Sequence, residues 1–115
     1  MKKFMAMYMA PAATVRKMME TTTPEQAKAG MDEWMKWSKA HEKAVVDLGM
    51  PLGKTKSVGV SGISDTSNDM TGYSIVEAES LEAAAAMFKD HPHLMMEGAT
   101  VDVLECMDMS EMMGM

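Results

Sequence analysis

The sequence predicts an α+β fold with elements in the order β-α-β-β-α-β, the ferredoxin-like arrangement of a four-stranded antiparallel sheet with both helices on one face. Three observations predict it. "KFMAMYM" (residues 3–9) and "TGYSIVEAE" (71–79) alternate with the period of strands. "TTTPEQ" and "SLEAAAAMF" carry the start signals of helices. Right-handed crossovers bring two such βαβ-like halves onto one sheet, with the helices together on a single face.

Residues 3–9 form the first strand, with Phe4, Ala6 and Tyr8 on one face and Met5, Met7 and Met9 on the other. Both faces are apolar or nearly so, which predicts cover on both sides. The opening "MKKFMAMYMAPAA" has the basic start of a secretory signal. Its apolar run is minimal and contains Tyr8, so it is read as a strand. Pro11 ends the strand, and residues 12–20 predict a short helix.

In "TTTPEQ", Thr23 caps a helix, Pro24 suits its first position and Gln26 completes a capping box. The first main helix is predicted over residues 24–48, stopping at Gly49 with Pro51 beyond. Met31, Trp34, Met35, Trp37, Val45, Val46 and Leu48 fall in its apolar arc, where His41 projects among the tryptophans. "GKTKSVGVSG" (53–62) is the expected second strand and "ISDTSND" a turn-rich loop. In the third strand, Glu77 shares a face with Tyr73 and Ile75, and burial there would call for Lys54 or Lys56 as its partner. Ser80 caps the second main helix. "DHPHLMMEG" (90–98) connects it to strand four (99–107), Pro92 ending the helix; Cys106 alternates with Leu104 as a packed, inert thiol. The methionine-rich tail, 108–115, is left open as ordered or flexible.

With 115 residues, 47% apolar and 24% charged, the chain fits one globular domain spanning 1–115. A net charge of −6 without a Lys/Arg run disfavours nucleic acid as a partner. No stretch reaches the roughly 18 apolar residues of a membrane span. A single cysteine excludes an internal disulfide and fits the reducing cytoplasm. "GKTKSVGVSG" lacks phosphate-loop spacing, and no cofactor is expected. The 18 methionines read first as adaptable core filler, and second as thioethers for Cu(I) in "MDMSEMMGM" (107–115).

Four segments, in this order, are spread along the chain from residue 2 to residue 109: "KKFMAMYMAPAA", "WMKWSKAHEKAVVDLGMPLGK", "GYSIVEAESLEAAAAMF" and "HPHLMMEGATVDVLECMDM". Through them the chain resembles the YCII-related family of small bacterial proteins, which share the dimeric α+β barrel fold. The resemblance implies a homodimer with facing sheets, which the two apolar faces of strand one also call for. It further implies a pocket between the first helix and the sheet. Members are suspected of enzymatic activity through a helix-one His and an Asp beside the proline before strand four, and a few relatives act on small aromatic or chlorinated compounds. In this sequence the helix-one position falls near Ser38, with His41 a turn later. His91 stands directly before Pro92, with Asp90 one residue earlier.

The candidate catalytic set is therefore His41 as base with His91 or Asp90 as orienter, and the expected pocket residues are Tyr8, Trp34, Trp37, Ser38 and His93. His91 and His93 in an extended segment would root about 7 Å apart, and one metal would need two more ligands from Cys106, Met95 or His41. No metal centre is expected there. The function read from the sequence is binding of a small organic molecule, with His-dependent acid/base catalysis. The alternatives are a non-catalytic structural or metabolite-binding dimer and, more distantly, Cu(I) binding by the methionine-rich C-terminus.

Overall fold

The computed structural model describes residues 1–114, so Met115 of the methionine tail lies outside the described residues. Along the chain lie β1 (Lys2–Met9), α1 (Ala12–Thr21), α2 (Pro24–Ala40), β2 (Val45–Asp47), β3 (Thr55–Gly59) and β4 (Gly62–Thr66). After them come β5 (Met70–Ala78), α3 (Leu81–Ala86), a 3-10 turn (Pro92–Met95), β6 (Thr100–Glu105) and α4 (Met109–Met112). Strands β2-β5-β1-β6, in that order and all antiparallel, make the four-stranded sheet. This is the ferredoxin-like α+β order, with the hairpin β3–β4 inserted between β2 and β5.

The alternation in β1 and β5 is what fixes the core. Phe4 pairs with Val76, Ala6 with Ser74 and Tyr8 with Gly72, and all six are buried on one face. Trp37 of α2, Ala84 of α3 and Phe88 just beyond it pack on that same face. Burying a side chain of the size of Phe4 or Val76 contributes about 1.5–3 kcal/mol, so this layer supplies most of the hydrophobic stabilisation. Met5, Met7, Met9, Tyr73 and Ile75 alternate onto the opposite face and are only half-buried.

Several elements depart from the sequence expectation. α2 begins as expected, with both halves of the Thr23–Gln26 capping box formed, but it ends at Ala40 with His41 as its C-cap. The residues expected to continue it turn back instead. Val45 pairs with Val76, and the Glu77 N–H donates to the Ala44 carbonyl at 2.8 Å. The β-branched pair Val45-Val46 suits a sheet edge better than a helix end, and here the edge of β5 is available to it. The second strand of the sheet is therefore 45–47, not 53–62. Residues 55–66 form their own hairpin, and most of the stretch read as a loop is its strand β4.

Glu77 does not pair with Lys54 or Lys56. Lys56 forms an ion pair with Asp65 across the hairpin, and Glu77 lies opposite Lys3 in the sheet register. Ser80 caps α3 through its hydroxyl, which accepts the Ala83 N–H at 3.1 Å. α3 stops early, at Ala86, because the chain turns inward to bury Phe88 and His91. Pro92 then starts the 3-10 turn rather than ending the helix. Cys106 is exposed, as is Leu104, so the packed thiol expected there is not formed. No helix among the described residues is long and apolar enough to cross a membrane.

Candidate functional site

A cavity of about 420 Å³ opens between α2 and the Tyr8 end of the sheet. Its inner wall is Tyr8, Trp34 and His93; Met31 and Met35 reach over it from α2. Residues 48–51 and Tyr73 close the side that β2 leaves open. Met31 and Met35 are 66% and 57% exposed although they lie on the apolar arc of the helix, because the space they face is this cavity.

The turn after β2 can have only glycine at position 49. Its φ is +80°, and a Cβ there would lie 1.7 Å from the carbonyl oxygen of Tyr73. The Gly49 N–H is held by the Asp47 carboxylate at 2.9 Å, and the Leu48 carbonyl accepts from the Ser74 hydroxyl at 2.6 Å. Because a carbonyl can only accept, Ser74 has spent its proton on Leu48. The Tyr8 hydroxyl, 2.8 Å from Ser74 Oγ, must therefore be the donor in their bond. Burial pushes the Tyr8 phenol above its ordinary pKa, and the Ser74 bond offsets part of that rise. Tyr8 is thus a fixed, protonated wall of the cavity whose proton points away from any ligand.

The two histidines resolve in the same way. His93 Nε2 lies 2.8 Å from the Met9 carbonyl, so in the neutral ring Nε2 carries the proton and Nδ1 is left as the acceptor. His91 Nδ1 accepts the backbone N–H of His93 at 3.0 Å, which puts the His91 proton on Nε2. That Nε2 is a buried polar atom with no hydrogen-bond partner. Rings surround it: Trp34 edge-on at 4.4 Å, Trp37 at 4.6 Å and Tyr8 at 4.9 Å between centroids. Burial, then the nearby charges of His93 and His41, lower the His91 pKa to about 4, so the ring is neutral near pH 7.

The structure sorts the expected site residues into two groups. Tyr8, Trp34 and His93 line the cavity. Trp37 does not; it is core, stacked on Phe88 at 5.0 Å and donating from Nε1 to the Met87 carbonyl at 2.9 Å. Ser38 lies in a shallow groove along the outer side of α2 with Asp32 and Glu33. His41 caps α2 with its ring 4.8 Å from that of Trp37, and His91 sits behind the cavity wall. Asp90 is exposed, and neither ring nitrogen of His91 bonds to it. Among the described residues no three His, Cys, Asp or Glu side chains gather as a metal centre would require.

Met31, Met35, residues 48–51, Tyr73 and Met96 also line the cavity and are not among the pocket residues expected from the sequence. The signal available was "LGMPLG", whose glycine and proline were read only as a helix stop.

No family model and no curated protein matches the chain. Among solved structures it is similar to 5-chloro-2-hydroxyhydroquinone dehydrochlorinase from Burkholderia phenoliruptrix AC1100, solved in complex with 2,5-dihydroxybenzoquinone. The two are 17% identical over 89% of this chain and 91% of that one, with a TM-score of 0.45. The fold assignment rests on the strand order and register of the chain itself.

Proposed function

We propose that the protein binds one small, largely apolar organic molecule in the cavity between α2 and the sheet, with His93 Nδ1 as the acceptor for a hydroxyl on that molecule. The observation that carries this is the combination of an apolar cavity of about 420 Å³ with one imidazole whose other nitrogen is already committed to Met9. Sites for small ligands have this make-up, apolar walls with few fixed polar groups. Proton transfer at this site falls to the same nitrogen, since it is the atom able to take the hydroxyl proton. His41, His91 and Asp90 are assigned no step.

The test uses 4-methylphenol and its methyl ether, followed by the methyl NMR signals of Met31, Met50 and Met96. The phenol is expected to shift all three, and the ether, which has no proton to donate, to bind about fivefold to tenfold more weakly. Equal affinities, or shifts spread over methionines outside the cavity, would overturn the reading.

We also infer that two copies associate through their open sheet faces, in keeping with the resemblance to the YCII-related family. Met5, Met7, Tyr73 and Ile75 make that face apolar and half-buried in one copy. Sedimentation at micromolar concentration is expected to give a dimer, and Ile75→Asp a monomer.

A further inference from the structure

The tail of the chain carries methionines that neither the core nor the cavity uses. α4 is a single turn, started by the Asp108 carboxylate, which accepts the Ser110 hydroxyl and the Glu111 N–H, each at 2.7 Å. The Met113 N–H donates to the Met109 carbonyl at 3.1 Å, so the helical turn closes between these two residues. Met112 and Met113 therefore stand three and four residues beyond Met109, the spacing that puts helix side chains side by side. Their Cβ atoms are then about 5–6 Å apart, and three rotatable bonds in each side chain let the sulfurs converge. Met109, Met112 and Met113 are 71%, 69% and 66% exposed, so none has a packing role.

We propose that Met109, Met112 and Met113 form a thioether site for a soft monovalent metal ion, Cu(I) being the biological ion of that class. Neutral sulfur donors select Cu(I) over Zn²⁺ or Mg²⁺, which need thiolate, imidazole or oxygen ligands. The net charge of −6 favours cations near the chain, and carboxylates of Asp108 and Glu111 flank the turn. A thioether has no proton to lose, so its metal affinity does not follow pH, whereas a site built on the Cys106 thiol or a histidine must release a proton. That contrast separates this site from the exposed Cys106 close by and from the histidines of the cavity.

The experiment is competitive titration of Cu(I), kept reduced with ascorbate under argon, on the full chain. The variants are Met109→Leu/Met112→Leu/Met113→Leu and Cys106→Ser; all four residues are exposed, so the fold is retained. The triple variant is expected to lose about tenfold or more in affinity, and Cys106→Ser to change it less than about twofold. Wild-type affinity is expected to stay flat between about pH 5 and 8. Undiminished binding by the triple variant, loss of binding in Cys106→Ser, or affinity climbing steeply with pH would each overturn the proposal.

Discussion

The cavity side of the sheet and the hairpin β3–β4 are both antiparallel strand pairs, of eight and nine residues in β1 and β5 against five in each hairpin strand, yet they hold the chain together very differently. On the cavity side every second residue of β1 and β5 meets an aromatic or aliphatic partner, and polar atoms there are tied into chains such as Tyr8–Ser74–Leu48. In the hairpin, Val58 and Ile63 face each other across the strands but remain 75% and 71% exposed, and Val60 at the tip is fully exposed. The radius of gyration, 16.1 Å, exceeds the value of about 13 Å for a compact chain of this length. Alternation alone makes a strand. A second layer makes it part of a core.

The contrast can be broken most severely at Gly49, where the cavity wall and the sheet meet. Gly49→Ala drives a methyl into the Tyr73 carbonyl in a positive-φ turn, and denaturant unfolding should show a loss of about 3 kcal/mol or more. Next comes the buried imidazole. The unfolded chain protonates His91 near pH 6.5, while the folded protein keeps it neutral down to about pH 4. Unfolding therefore takes up a proton in that window. Stability is full above pH 6.5 and falls as the pH drops toward 4, by about 3 kcal/mol. Chemical denaturation across this range checks the slope, which His91→Leu should flatten.

Ser74→Ala is the smaller test on the same side. It leaves the Tyr8 hydroxyl and the Leu48 carbonyl without their partner and should cost about 1.5 kcal/mol. At the other end of the scale, Val58→Ser/Ile63→Ser in the hairpin should move stability by less than about 0.5 kcal/mol, because neither side chain leaves water on folding. A large loss there would mean that the hairpin is packed against something in solution.

What could be read from the sequence follows the same division. β1, β5 and the cap at Thr23 were legible because alternation and capping are local signals. The end of α2 was not, since residues 41–48 continue the helical period and only the waiting edge of β5 draws Val45 out of it. His93 was expected to line the pocket, but the route that carries it there was not legible. It depends on a 3-10 turn that the two histidines themselves help to fix, through the bond from the His93 N–H to His91 Nδ1. Of the expected pocket, Tyr8 and Trp34 followed from the faces of their own elements. Trp37 and Ser38 were misplaced because the position of the cavity along α2 is set by the turn at 48–51, far away in sequence.

The place of β1 at the centre of the sheet has a consequence for how the chain folds. It pairs with β5 and β6, whose residues follow it by some sixty to a hundred positions, so neither neighbour exists when the first strand leaves the ribosome. Such distant pairing makes folding slow relative to helical proteins of equal size. Until residues 70–105 have been made, "FMAMYM" is an apolar, uncharged strand with both edges bare, the kind of segment that aggregates. The two lysines immediately before it, Lys2 and Lys3, are then well placed as charged gatekeepers during synthesis.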